Sequence, residues 1–420
     1  MTDRISSRSF EVLEQYRQSR KPGETKNIIV CFDGTGGEPE WAVQNEEERG
    51  KVERYQNMGG LSNICKVHLF AGGTVDNSAC AIDGQVSLYY KGVGTWAEPG
   101  LKASYRAAFG DGAMRDIYIR AYADLVKIHQ KGDSVYIFGF SRGAATARLF
   151  ASYLSKDEHK IGGITPSIAF LGVFDTVVQS SDVGDSEDIT NLDVEGKDSS
   201  LPECVRRAVH LVSLDDRREP FKPTLFNDDS RVTEVWCPGN HSDIGGGYYN
   251  DGLSDACLKC MMKEAELAGM KTRVITPDTP KETIVGKQSE IKNFAEFDKD
   301  MKVEPDALEP DIHDENFYFP YRFPLNLIKC FSGRAVRRVK ATAFCEANPV
   351  LILDSALDRF ENYEESVPYF FQYPPYRRSG WSPSAKTVYR PVNLIGVYHK
   401  VVTVGANGIE VVEGKVIPAN

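Results

Sequence analysis

A serine hydroxyl is a useful nucleophile at neutral pH only when a base takes its proton and a third group holds that base in place. Ser141 stands in Gly139-Phe140-Ser141-Arg142-Gly143, a G-x-S-x-G between two readable elements. Before it, SVYIFGF (134–140) is β-branched and aromatic; after it, Ala147, Phe150, Ala151 and Leu154 recur on one helical face. A strand running straight into a helix places the serine on a sharp bend. Flanking glycines then leave room for neighbouring backbone, and the hydroxyl projects from the sheet edge. The amide of Arg142, at the helix start, would face the negative charge that develops on an attacked carbonyl. The plainer reading of the same residues is a tight strand-to-helix turn.

The base must come from seven histidines: 68, 129, 159, 210, 241, 313 and 399. His241 follows the apolar run VTEVWC in PGNHSDIGGGY (238–248), a glycine-rich loop able to present an imidazole over a sheet edge. It is the expected base. His129 falls in a predicted helix and His68 and His210 in predicted strands, where packed or surface histidines are the norm; His313 is held in reserve. For the acid, Asp175 closes the next buried run, SIAFLGVF, 175−141=34 residues after the serine, which suits the neighbouring strand. Asp243, two residues from His241, is the competitor, better suited to shaping the glycine turn. The chain order Ser, Asp, His is the one found in α/β-hydrolases.

A second oxyanion donor is expected from Asp33-Gly34-Thr35-Gly36-Gly37, the loop after the apolar run NIIVCF, with Gly34 or Thr35 as the donor. Those glycines could also shape a phosphate cradle, but no GxxxxGK[ST] follows. Gly92-Val93-Gly94 lacks the third glycine and the partner acid of a dinucleotide site. No cofactor and no metal are expected. Cys257 and Cys260 lack a second ligand pair and fall in a predicted helix, so they read as buried thiols. Nine cysteines scattered over the chain do not form the dense framework of a small secreted domain.

The elements that must position these groups are strands at 27–32, 86–90, 134–140, 167–173, 205–213 and 232–236, alternating with helices at 114–129 and after Ser141. Segment 62–70 shows mixed periodicity, and late strands are expected at 394–402 and 409–416. Alternation of this kind implies a mostly parallel sheet covered by helices on both faces, an α/β fold of the α/β-hydrolase type with loop and lid insertions. Residues 1–26 read as a polar arm and 27–420 as one domain. Within it, an acidic loop near 180–200 reads as solvated, and a polar insertion or lid is expected near 272–320.

The 420 residues carry 50 basic and 60 acidic side chains, a formal charge of −10. That field argues against nucleic acid as a partner. No Sec-type signal opens the chain and no run of eighteen apolar residues spans a bilayer, so the expectation is a cytoplasmic protein in its producing cell. FYFPYRF (317–323) with Arg334, Arg337, Arg338 and Lys340, and YFF (369–371) with Tyr376, Arg377, Arg378 and Trp381, mix aromatics and cations. Interfacial surfaces do so, and so do cores.

The runs FDGTGG, YKGVGT, GFSRGAATAR, FLGVFDTV, HLVSLDDRREPF and CPGNHSDIGGGYYNDGLSD, in that order between Asn27 and Asp255, resemble the catalytic domain of class-one type VI secretion phospholipase effectors. The resemblance implies an α/β-hydrolase that cleaves phospholipid esters and is toxic to membranes, with Ser141, Asp175 and His241 at the matching motif positions. It also implies export by a signal-independent secretion system, and a delivery or immunity protein as partner. The family pattern often has Trp where Phe174 stands, and the region after about Thr272 is poorly matched. Two other readings stand beside a phospholipase: a soluble carboxylesterase for small esters, and a noncatalytic binding module on the same fold.

Overall fold

A computed structural model describes residues 12–35, 58–93, 113–178, 201–248, 251–286, 301–306, 344–345, 348–362, 364–366, 376–378, 386–389 and 399–413, less 22, 217–220, 222, 228 and 277. The strands that frame the site and its sheet are β1 (Asn27–Phe32), β2 (Met58–Ser62), β3 (Gln85–Tyr90), β4 (Ser134–Phe140), β5 (Ser167–Phe174), β6 (Ala208–Ser213), β7 (Val232–Cys237), β8 (Gly246–Tyr248), β9 (Asn348–Leu353), β10 (His399–Gly405) and β11 (Gly408–Val411). A short strand at Phe344–Cys345 pairs antiparallel with β9, and those at Glu364–Ser366, Tyr376–Arg378 and Lys386–Tyr389 lie apart from that sheet. Nine of β1–β11 form one sheet in the order β11-β10-β9-β7-β6-β5-β4-β1-β3. Every neighbouring pair in that order is parallel except β10 and β11. β2 and β8 pair antiparallel in a ladder of their own.

Besides a helical stretch at 12–18, the helices are α1 (Asn63–Phe70), α2 (Ala113–Ile128), α3 (Arg142–Ser155), α4 (His241–Gly245), α5 (Gly252–Leu267), α6 (Glu282–Val285) and α7 (Asp354–Asn362). Period-two alternation divides each central strand between two cores. Ile28, Val30 and Phe32 of β1 join Ile117, Ala121, Leu125 of α2 and Ala144, Ala147, Phe150, Leu154 of α3. Ile29 and Cys31 join Ile64 and Val67 of α1 and Cys257, Cys260 and Met261 of α5 on the opposite face. Each fully buried large apolar side chain contributes about 1.5–3 kcal/mol. The result is the α/β-hydrolase-like sheet the alternation called for.

Strand order reverses at β1, which lies between β3 and β4. A crevice opens outside the carboxyl ends of parallel strands at such a reversal. The turn at Asp33 and the bend at Ser141 both arise there.

Several expectations are corrected. Residues 12–18 are helical, and Val12, Leu13 and Tyr16 are buried against α2 and α3. The Arg20 guanidinium then pairs with Asp133 at 2.5 and 2.9 Å, so this part of the supposed polar arm is docked. Segment 62–70 is a helix, because the Ser62 hydroxyl accepts from Cys65 N and caps it. Residues 271–286 of the expected lid lie at the far end of the sheet from the reversal crevice. Lys271 N donates to Gln85 at the start of β3, and Arg273 donates to the carbonyls of Leu69, Gly73 and Thr283. A guanidinium can satisfy three buried carbonyls at once, which suits it to tying down a polar segment. The last two strands begin at His399 and Gly408, displaced from the expected ranges. The acidic loop and the aromatic stretch 317–323 lie outside the described residues. Cys257 and Cys260 are buried in α5 as thiols.

Candidate active site

Ser141 joins β4 to α3 with φ 59° and ψ −127°, a backbone conformation that L side chains rarely adopt. Neighbouring structure holds it there: Ser141 N donates to Phe174 O at 3.1 Å, and its carbonyl accepts from Val177 N, Ala144 N and Ala145 N. The flanking glycines are required by contact. A Cβ on Gly139 would overlap the Gly143 carbonyl, and one on Gly143 would overlap the carbonyl oxygens of Phe32 and Asp33. Ser141 occupies the N-cap position of α3, yet its side chain makes no capping bond. The hydroxyl is left to other work.

Asp175 follows β5, itself at a positive φ of 38°. Its N–H donates to Leu211 O at 2.7 Å, and its Oδ1 accepts from Ser213 N at 3.0 Å. Oδ2 lies 2.6 Å from His241 Nδ1, and both side chains are buried. His241 opens α4, after β7, with Asn240 as N-cap. A carboxylate on Nδ1 sets the tautomer in which that nitrogen carries the proton and Nε2 is the acceptor. His241 Nε2 is buried and has no hydrogen-bond partner among the described residues, so the Ser141 to His241 bond is not made in this structure. Catalytic hydrogen bonds often tighten only once substrate binds. The imidazole packs on Phe140, the residue before the serine, with ring centroids 4.6 Å apart, and Phe221 meets it edge-on at 4.9 Å. The Phe140 ring also lies where a Cβ on Gly34 or Gly245 would fall, at 2.7 Å from its Cδ1 in the first case.

Asp243 caps the turn that carries the ring. Its Oδ2 accepts from Asn240 N at 2.8 Å, completing a capping box at the start of α4. Three further side chains, without an expected role, hold the histidine loop from the end of β6. Asp215 Oδ2 accepts from Gly239 N at 2.7 Å, Ser213 Oγ donates to Gly239 O at 2.8 Å, and Asp216 Oδ2 accepts from His241 N at 3.3 Å. The run SLDD was visible in sequence, but nothing in its spacing linked it to a loop 24 residues downstream.

The oxyanion side brings one correction. The Gly34 N–H donates to Asp33 Oδ1 at 2.6 Å, so this amide is occupied by the preceding carboxylate. Thr35 lies beside the bend: its Oγ1 accepts from Arg142 Nε at 2.6 Å. Arg142 N belongs to the first turn of α3, whose N–H groups have no intrahelical acceptor. Burial lowers the Arg142 guanidinium to about 10, still charged at neutral pH.

The other histidines have structural surroundings. His68 is in α1 rather than a strand, between Ser87 Oγ and Thr74 O at 2.8 and 2.9 Å, and burial lowers its pKa to about 4. His210 lies in β6 as expected. Its Nδ1 meets Glu234 at 2.8 Å, and its Nε2 accepts from Thr176 N at 3.1 Å, which steadies the turn that carries Asp175. His129 lies just past the end of α2. His313 lies outside the described residues.

The four loops that carry Ser141, Asp175, Ser213 to Asp216 and His241 leave the carboxyl ends of the consecutive neighbours β4, β5, β6 and β7. A nucleophile, an oriented base and backbone donors at one sheet edge can carry out acyl transfer.

The family model for the type VI secretion system phospholipase effector Tle1-like catalytic domain matches residues 26–157 and 153–264. No curated protein matches the chain. Among solved structures, an uncharacterized protein from Pseudomonas aeruginosa is 20% identical, covering 68% of this chain and 52% of its own, with a TM-score of 0.38. The Tle1 effector bound to the VgrG spike from the type 6 secretion system is 21% identical, covering 55% and 52%, with a TM-score of 0.34. The apo form of Thermogutta terrifontis esterase 2 is 17% identical, covering 61% and 88%, with a TM-score of 0.30. The chain spans about half the length of the first two.

Proposed function

We propose, from the premise that this chain belongs to the Tle1-like phospholipase effector family, that it is a serine hydrolase cleaving acyl ester bonds of phospholipids through an acyl-enzyme. The observation that carries this reading is the 2.6 Å contact of Asp175 Oδ2 with His241 Nδ1, set beside a serine held at φ 59°. Ser141 Oγ attacks the acyl carbonyl and passes its proton to His241 Nε2. Asp175 holds the resulting imidazolium. The amides of Arg142 and Thr35 receive the oxyanion. Collapse expels the lysophospholipid alcohol, which takes the proton from Nε2, and water then releases the fatty acid by the same steps in reverse order of roles. No cofactor is required by this scheme.

Residues 27–420 act in this reading as one hydrolase unit that touches a membrane surface peripherally. No helix among the described residues is long and apolar enough to cross a membrane. The biological role that fits is a membrane-damaging effector, made in the cytoplasm of its producer and exported by a type VI secretion system. A delivery protein and an immunity protein are its expected partners.

The test is fatty-acid release from phosphatidylethanolamine and phosphatidylglycerol vesicles. The parent protein should release it, and should be labelled by a fluorophosphonate at Ser141. Ser141→Ala should be inactive while folded, and His241→Ala should prevent labelling. Turnover of short-chain esters that vesicles neither enhance nor inhibit, without lipid cleavage, would reduce the protein to a soluble carboxylesterase. No labelling at all would leave a binding module.

A further inference from the structure

We propose that Asp33 is a positioning residue for this reaction: its buried carboxylate holds the Gly34–Thr35 turn so that the Thr35 N–H, not that of Gly34, meets the oxyanion. The inference rests on the serine-hydrolase reading and adds a residue to it. Asp33 opens the turn out of β1 and is almost fully buried. Oδ1 accepts from Gly34 N at 2.6 Å; Oδ2 accepts from Ser62 Oγ at 2.6 Å and from the Tyr89 hydroxyl. The Ser62 oxygen is at the same time the acceptor for Cys65 N, so its proton is directed at Asp33. Burial raises the Asp33 pKa, and the three bonds, one from an amide that can only donate and two from hydroxyls whose protons face the oxygens, oppose that rise and favour the carboxylate. They come from three places: the turn itself, the N-cap of α1, and β3.

The turn so held has little freedom. A Cβ on Gly92 would overlap the Gly34 carbonyl, so the loop after β3 presses on one side. On the other side Gly143 of the serine bend packs on the Asp33 carbonyl, and Arg142 Nε donates to Thr35 Oγ1 at 2.6 Å. With Gly34 N engaged, the next amide along the turn is that of Thr35, which has no acceptor among the described residues. Preorganised donors are effective because they need no rearrangement as charge develops. A carboxylate that fixes the turn from within supplies that preorganisation without touching substrate.

The experiment compares the purified full chain with Asp33→Asn, Ser62→Ala and Tyr89→Phe on p-nitrophenyl butanoate and on its thionoester counterpart. Sulfur accepts hydrogen bonds weakly, so the oxo-to-thiono rate ratio reports on the oxyanion donors. Asparagine offers one acceptor and one NH₂ to three donors, and the turn must shift. The expected result for Asp33→Asn is a kcat on the oxo ester lower by about 10- to 100-fold, less than the loss of a donor outright. KM should stay within about twofold and the thionoester rate should change far less. Ser62→Ala and Tyr89→Phe should move the ratio the same way by smaller factors, and they carry the test if Asp33→Asn does not fold. A folded Asp33→Asn with parental kcat, or equal losses on both esters in these variants, would overturn the role. Full activity in Ser141→Ala would instead overturn the underlying reading.

Discussion

Replacing Asp175 by asparagine exchanges one oxygen for an NH₂ and leaves the outline of the site unchanged. In the structure Oδ1 accepts from Ser213 N at 3.0 Å and Oδ2 faces His241 Nδ1 at 2.6 Å. Asparagine keeps the first bond, since its carbonyl still accepts, and reverses the second, since its NH₂ can only donate. His241 Nδ1 must then be the acceptor, which places the ring proton on Nε2, where the serine proton has to go. The imidazolium also loses its counter-charge. A tautomer reversal of this kind lowers kcat by about 10⁴-fold in a serine triad. At about 1.4 kcal/mol per decade that is about 5.5 kcal/mol of transition-state stabilisation. Asp243→Asn is the control, because that carboxylate caps Asn240 N rather than the ring. It should cost about 1 kcal/mol of stability and less than tenfold in rate. Ester turnover by both variants, with folding checked by circular dichroism, decides the matter. An Asp175→Asn enzyme within tenfold of the parent, beside a crippled Asp243→Asn, would refute the assignment of Asp175.

Gly143→Ala should lower the thermal midpoint as well as activity, by about 1–3 kcal/mol or more of stability, because its methyl would enter the space of the Phe32 and Asp33 carbonyls. An unchanged midpoint in a calorimetric scan would mean that α3 does not approach β1 so closely. Asp255 is buried with Lys66, and burial raises its pKa from 3.8 to about 6. Between those values the native protein keeps a proton that the unfolded chain has released, so this group's contribution to stability is full below about pH 4. It is lost as pH rises toward and through 6. Urea midpoints measured from pH 4 to 7 should show that decline in the parent and a flatter profile in Asp255→Asn.

The serine bend was legible because its marks are local: a strand, two glycines and a helix lie within one short run. Gly139 is required by Gly143, four residues on, but the carbonyls that require Gly143 belong to Phe32 and Asp33, far back in the chain. Asp175 and His241 were legible for a related reason, since each directly follows an apolar run and parallel strands deliver their ends to one edge. Gly34 misled because an amide in a glycine loop looks available from sequence. Only coordinates reveal that the preceding aspartate turns back on it. His68 was misplaced because LSNICKVHLF is buried on several sides and so lacks a helical period, leaving the Ser62 cap as its only marker. Residues 271–286 look like a lid by polarity. Arg273 and its three carbonyl partners, from segments about 200 residues earlier and ten residues later, tie them elsewhere. Ser213, Asp215 and Asp216 act on a loop from the next strand, a relation that sequence spacing does not encode.

Phe140 touches three neighbourhoods at once: the imidazole of His241, the space above Gly34 and the space above Gly245. Choices at positions 34, 140 and 245 are therefore not independent, although 211 residues separate the outermost two (245−34=211). A relative with a small side chain at 140 gains room for alanine at either glycine and loses the ring that backs its base. Phe221 meets the same imidazole edge-on from a separate loop, so a substitution there reaches the ring without passing through Phe140.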